Sequence, residues 1–207
     1  MSDRVKTRPD EHLENELRKA GYSAVCGVDE AGRGPLSGPV VAGACILPPG
    51  CVIEGLNDSK KLTPKARDRL FDLIRENAVS CAVGMATPAE IDELNILNAT
   101  MLAMRRAIAA LDVPADFALI DGNCARGIPL PSRTVVSGDA LSVSIAAASI
   151  LAKVTRDRLC LEDDRRYPEY GFAKHKGYGT AQHVAALKQY GPCPLHRRSF
   201  LKFLDDE

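Results

Sequence analysis

The chain has 207 residues, 45% of them hydrophobic and 26% charged, which is enough apolar material for one substantial core and a single domain over 1–207. Its 27 Lys plus Arg balance 27 Asp plus Glu. Neutrality excludes a global field that would draw the protein to nucleic acid or a membrane surface, so any polyanion site has to be a local patch.

Residues 1–24 form a short polar extension with no apolar signal segment, and no run approaches the roughly 20 apolar residues of a membrane span, so a soluble, cytoplasmic protein is expected. The first strand is AVCGVD, ending at Asp29. The second, PVVAGACIL, follows a glycine-rich loop at a distance suited to antiparallel pairing. LTPKARDRLFDLIREN reads as a helix with Thr63 as N-cap, Pro64 at its first position, and Leu70, Phe71 and Ile74 on its apolar side. SCAVGMA is a third strand. From Pro88 to Leu111 the apolar residues Ile91, Leu94, Leu97, Met101, Met104, Ile108 and Leu111 recur every three or four, which predicts one long amphipathic helix. DFALID is a short buried strand closing on Asp121, GNCARGIPLP a loop, and RTVV another strand. LSVSIAAASILAKVTRDRLCLED is helical, and its Ala and Ser residues permit close approach to a sheet. A helical C-terminal part follows from about residue 165. The expected class is α/β, a mixed five-stranded sheet flanked by helices, with ligands gathering where strands end. The cysteines number seven, scattered and without a C-x-x-C pair, so reduced and mostly buried thiols are expected rather than disulfides or a thiolate metal site.

Asp29 and Asp121 each close an apolar strand and precede a flexible glycine loop. Glu30 adds a neighbouring acid, and Asp139 in VVSGDALS precedes the Ala-rich helix. If the two strands are parallel neighbours, these acids meet, and like charges at one sheet edge must take up protons or hold cations. An all-oxygen set suits Mg²⁺ or Mn²⁺, and two such ions about 4 Å apart activate water and stabilise the leaving oxygen of a phosphodiester. The alternative for each acid alone is a helix cap or a solvated turn, most plainly for Asp139. In DEAGRGPLSGP, Gly32 and Gly34 allow positive φ and close backbone approach to a ligand, and Arg33 between them reaches phosphate. A plain hairpin connection fits that loop equally.

GVDEAGRGPLSGPVVAGA, then NDSKKLT, IDG, GDALSVSIAAASILAKVTRDR, KHKGYGT and HRRSF, in this order, closely resemble bacterial ribonuclease HII over nearly the whole chain, from about Val25 to Phe200. The resemblance implies a ribonuclease H-like fold and a metal-dependent endonuclease that cuts RNA in RNA·DNA hybrids and single ribonucleotides embedded in duplex DNA. It assigns Asp29, Glu30, Asp121 and Asp139 to metal binding and catalysis, with Mg²⁺ or Mn²⁺ as cofactor. It gives Gly32, Arg33 and Gly34 the reading of the 2′-hydroxyl, and Tyr178 stacking on the adjoining sugar. Asn57, Ser59, Lys60 and Lys61, just before a helix N-terminus, are expected to hold phosphate. Lys174, His175, Lys176, Arg165 and Arg166 form a second basic cluster along the duplex track. His175 and His183 lack a second His at ligand spacing and are not expected to bind metal. Two departures from the family pattern, Leu141 at a usually basic position and Ser137 before Gly138, bear on local charge. The residues before Val25 are too few for the extra N-terminal domain of the type 3 enzymes. Nothing in the sequence demands a dimer. A hybrid-binding module that does not cut, or a phosphatase acting on small substrates, would use the same acids.

Overall fold

Val-rich and small residues build the two long central strands of the computed structural model, which describes residues 8–204, with Lys61 through its backbone alone. These strands are β1 (Val25–Ala31) and β2 (Val40–Ile46). They are joined by β3 (Ser80–Ala86), β4 (Phe117–Asp121) and β5 (Ser132–Val135) into one sheet of order β3-β2-β1-β4-β5. β1 is antiparallel to β2 and parallel to β4, and β4 is parallel to β5. Every residue of β2 is buried, because helices cover both faces of the sheet. The mixed five-stranded sheet of the sequence reading is therefore observed.

On one face lie α2 (Pro64–Asn77) and α5 (Val143–Arg166), packing Leu70, Phe71, Ile74, Ile150 and Leu151 around Cys45. On the other lie α3 (Pro88–Leu94) and α4 (Ile96–Ala109), whose Met101, Met104 and Ile108 cover Cys26, Val28 and Ile120. Small residues on both partners set the spacing of α5. A Cβ on Gly27 would sit 2.1 Å from the Ser144 carbonyl carbon, and one on Gly43 2.3 Å from the Ala148 oxygen. The close approach expected from the Ala and Ser residues of α5 thus requires two sheet glycines as well.

The structure corrects the single helix predicted from Pro88 to Leu111. It breaks at Asn95, which has φ 68° and whose side-chain oxygen accepts from the Leu97 and Asn98 N–H groups to cap α4. Both pieces bury their stripe against the same sheet face, so the apolar period runs through the break. Leu97, placed on that stripe, is 37% exposed instead. The first strand also runs past Asp29 to Ala31.

Within the N-terminal extension, α1 (His12–Lys19) is tied down by Glu14, a buried carboxylate that accepts from Ser142 Oγ at 2.5 Å and from Ser144 N at 3.0 Å. The C-terminal part contains α6 (Phe172–His175) and α7 (Ala181–Tyr190), which gather Tyr170, Phe172, Leu187 and Leu201 in a separate small core. All seven cysteines are free, and Cys26, Cys45, Cys160 and Cys193 are buried. Among the described residues no helix is long and apolar enough to cross a membrane.

Candidate active site

Alternation along the strands decides which acids meet. β1 and β4 pair in parallel through Val28 and Ile120, so Asp29 and Asp121 follow side by side one residue later. Val25, Phe117 and Leu119, which precede them at even spacing, lie together on the α5 face, and the period-2 rule puts both carboxylates on that face. Asp29 is only 4% exposed, and its carboxylate accepts from the Glu30 N–H at 2.6 Å. Burial, then the charges of Glu30 and Asp121, hold its carboxyl well above the ordinary range, against a hydrogen bond from the Ser149 side chain. Glu30 is pushed up by burial, with Asp121 adding to the effect and Arg33, 3.3 Å away, opposing it.

Asp121 accepts from the Gly138 N–H at 2.7 Å, which ties the end of β4 to the turn carrying Asp139. A Cβ on Gly138 would lie 2.6 Å from Ile145 Cδ1 and 3.3 Å from Asp121 Oδ1, so a side chain there would crowd the carboxylate. Asp139 is buried and does not cap α5; Ser142 does, accepting from the Ile145 N–H at 3.1 Å. Its carboxyl is raised by burial, then by Asp58 and Asp121, while Lys60, 3.8 Å distant, works the other way. These mutually repelling carboxylates, Asp29 and Asp139 buried and Glu30 and Asp121 half-buried, have the donor chemistry of a site for hard divalent cations. Among the described residues no ready-made cage of three His, Cys, Asp or Glu ligands exists.

Next to the acids opens a cavity of about 340 Å³, lined by Asp29, Glu30, Gly32, Arg33, Gly34, Ser59, Lys60, Ser149, Lys153, Arg156 and Tyr178 among others. Two buried arginines hold its glycine loop. Arg197 donates from Nη2 to the Gly32 carbonyl at 2.6 Å, from Nη1 to the Arg33 carbonyl at 2.8 Å and from Nε to the Gly38 carbonyl at 3.0 Å. Arg156 donates to the carbonyls of Ser37 at 3.1 Å, Lys176 at 2.9 Å and Pro39 at 3.3 Å. Gly32, at φ 94°, has no room for a side chain, because its Cβ would lie 2.0 Å from Arg156 Nε. Gly34 does not take the positive φ expected of it, and its Cβ would meet only Tyr178 Cε1, at 3.6 Å. The fold demands a glycine at 32. At 34 the absent side chain leaves space in the cavity.

The ribonuclease HII family model matches residues 26–203 of the chain. The chain belongs to the ribonuclease HII family. Ribonuclease HII of Syntrophotalea carbinolica is 55% identical over 189 residues, covering 91% of this chain and 90% of that one. Ribonuclease HII 1 of Methylibium petroleiphilum is 62% identical over 174 residues, covering 84% and 88%. Among solved structures, the ribonuclease H2 of Pyrococcus horikoshii superposes with a TM-score of 0.71 at 30% identity, covering 86% of this chain and 93% of that one. Bst-RNase HIII in complex with Mn²⁺ shares the fold at 18% identity, with a TM-score of 0.67 and coverage of 88% and 68%. The ribonuclease HII family comprises divalent-metal-dependent ribonuclease H endonucleases acting on RNA·DNA hybrids, and this chain is one of them.

Most residues singled out in the ribonuclease HII motifs converge, but not all. Tyr178 is 49% exposed and faces the cavity rather than the core. Ser59 is buried, with its Oγ 2.9 Å from that of Ser149. Asn57 does not line the cavity, and its side chain accepts from the Asp58 N–H at 2.9 Å. The helix N-terminus expected behind NDSKKLT is closed by Thr63, which accepts from the Ala66 N–H. Lys60 and Lys61 lie instead in a single 3₁₀ turn, Ser59–Lys61, that Asp58 caps. The Lys61 side chain is outside the described residues.

His175 leaves the proposed basic cluster, because it is buried with its ring stacked on His183 at 4.4 Å. Partners fix the tautomers nearby. His183 Nδ1 faces the Tyr178 carbonyl at 3.0 Å and must carry the proton, so its Nε2 accepts from His196 Nε2–H at 3.0 Å. Sequence reasoning missed Asp58, Ser149, Lys153, Arg156 and Arg197. Ser149, Lys153 and Arg156 recur at four and three along α5, so one stripe of that helix was a readable signal. Arg197 lies in the HRRSF segment, but nothing local to that segment shows that this arginine is buried or which carbonyls it grips.

Proposed function

We propose that the chain acts as one catalytic domain cutting on the 5′ side of a ribonucleotide, in a hybrid or embedded alone in duplex DNA, and leaving a 3′-hydroxyl and a 5′-phosphate. Asp29, Glu30, Asp121 and Asp139 would hold the divalent ions, Mg²⁺ or Mn²⁺, which when bound supply an activated water and neutralise charge on the scissile phosphate. The Gly32-Arg33-Gly34 backbone meets the 2′-hydroxyl, and Tyr178 packs on the neighbouring sugar. Ser59 and Lys60 take phosphate oxygens beside the acids, Lys60 lying 3.8 Å from Asp139. The observation that carries this reading is the register that sets Asp29 beside Asp121 on the face that also holds Ser149. Mn²⁺ bound in Bst-RNase HIII, a relative in fold, is in keeping with the choice of metal.

The test is a labelled duplex with one ribonucleotide, incubated with the protein in Mg²⁺, in Mn²⁺ and in EDTA. A single cut 5′ of the ribonucleotide in either metal, and none in EDTA or on all-DNA duplex, is expected. Binding without cutting, or hydrolysis of free nucleotides alone, would refute it.

A further inference from the structure

We infer that Arg197, out of reach of any substrate, is the positioning residue that sets the ribonucleotide preference by fixing the two peptide planes of Gly32-Arg33-Gly34. The argument rests on the reading above, in which that backbone meets the 2′-hydroxyl. Arg197 is fully buried behind the loop and does not line the cavity. Its Nη2 and Nη1 grip the Gly32 and Arg33 carbonyls at 2.6 and 2.8 Å. In a planar trans peptide the carbonyl of one residue and the N–H of the next point in opposite directions. Gripping these two carbonyls from inside therefore turns the N–H groups of Arg33 and Gly34 outward, toward the cavity that both residues line.

Only a guanidinium fork reaches two successive carbonyls at once, and its third donor, Nε on the Gly38 carbonyl at 3.0 Å, anchors the far end of the loop. Carbonyl oxygens rather than carboxylates are its hydrogen-bond partners, so its buried charge is spent on orienting backbone. Burial, with Arg156 nearby, brings its pKa down to about 9, which leaves it charged at neutral pH. Phe200, whose ring centroid is 5.2 Å from the guanidinium carbon, packs the fork. Arg156 holds the remainder of the loop in the same way, through Ser37 and Pro39. Donors that are oriented in advance discriminate a hydroxyl far better than donors that must reorganise on binding.

The experiment compares the parent with Arg197→Lys and Arg197→Gln. Binding of a duplex with one ribonucleotide and of the all-DNA duplex is measured by fluorescence anisotropy in EDTA, and cleavage of the first in Mg²⁺. Thermal unfolding checks that each protein is folded. The parent should prefer the ribonucleotide duplex. In both variants that preference should fall at least about tenfold and kcat about 10²-fold, with affinity for all-DNA duplex unchanged. A purely structural role would lower melting temperature and leave the ratio of the two affinities alone.

Folded variants that keep the parent's ratio overturn the inference while leaving the reading beneath it intact. A parent without any preference removes that reading and the inference with it. If neither variant folds, Phe200→Ala, which removes the ring packed on the fork and leaves Arg197 in place, decides: its preference for the ribonucleotide duplex should fall, and a folded Phe200→Ala protein with the parent's ratio overturns the inference.

Discussion

Gly43→Ala tests the claim that backbone-to-backbone contact between α5 and the sheet positions the site. The new Cβ would lie 2.3 Å from the Ala148 carbonyl oxygen, where ordinary contact begins at 3.4 Å, so strand and helix must separate by about 1.1 Å. The opposing atom is backbone, and no rotamer change relieves the overlap. Overpacking costs about 1–3 kcal/mol where side chains can adjust, so about 3 kcal/mol or more is expected here. For a chain of this size that lowers the melting temperature by about 6–12 °C. Ser149, next to Ala148, would move with the helix away from Asp29, and a displacement of about 1 Å at a catalytic site costs up to about 10²-fold in rate.

Thermal unfolding by circular dichroism and cleavage of a single-ribonucleotide duplex read the two effects. Adding Ala148→Gly should give no rescue, because the clashing atom is the carbonyl. Gly50→Ala is the control: its φ of 70° is strained but its Cβ meets nothing within 4 Å, so a loss of about 1–2 kcal/mol with full activity is expected. A Gly43→Ala protein melting within about 2 °C of the parent would refute the packing argument.

Asp29→Asn should cut activity by about 10³-fold or more through lost metal-borne charge stabilisation. In EDTA it should melt above the parent, because burial and two neighbouring acids oppose the charge of Asp29; a lower melting temperature would contradict this. His196 is buried neutral, its pKa lowered to about 4 by burial and then by His183, so the unfolded chain binds its proton more readily. The stability it contributes is complete above about pH 6.5 and is lost as pH falls toward 4. In urea titrations the stability of the parent relative to His196→Gln should accordingly shrink by about 2–3 kcal/mol between pH 7 and 4.5; a constant difference would count against it. Glu14→Ala leaves the Ser142 and Ser144 hydroxyls and the Ser144 N–H without their shared acceptor. A loss of about 3 kcal/mol in unfolding free energy is expected, and a change under about 1 kcal/mol would show that α1 is not anchored there.

The acids and the glycine loop were legible because strand periodicity and turn chemistry are local. AVCGVD and FALID each declare where an apolar strand meets an acid, and GRG beside a strand declares a backbone that approaches a ligand. The break at Asn95 was harder to read, since two helices on one sheet face keep a common apolar period. The signals were present in the Thr87–Glu90 capping box at the start of α3 and in the helix-capping preference of Asn95 itself. His175 was misplaced because polarity in the sequence does not say whether a side chain faces solvent or another ring.

By itself the sequence determined the strands and most helices, the acids at the sheet rim and the family, all of which follow from residue type and short-range spacing. Only the tertiary structure decided that β1 and β4 run parallel in a register that pairs Asp29 with Asp121, and that Arg197, more than 150 residues away, grips the carbonyls of Gly32 and Arg33. Strand pairing and a buried guanidinium's choice of partners are settled by which surfaces the whole chain can bury at once.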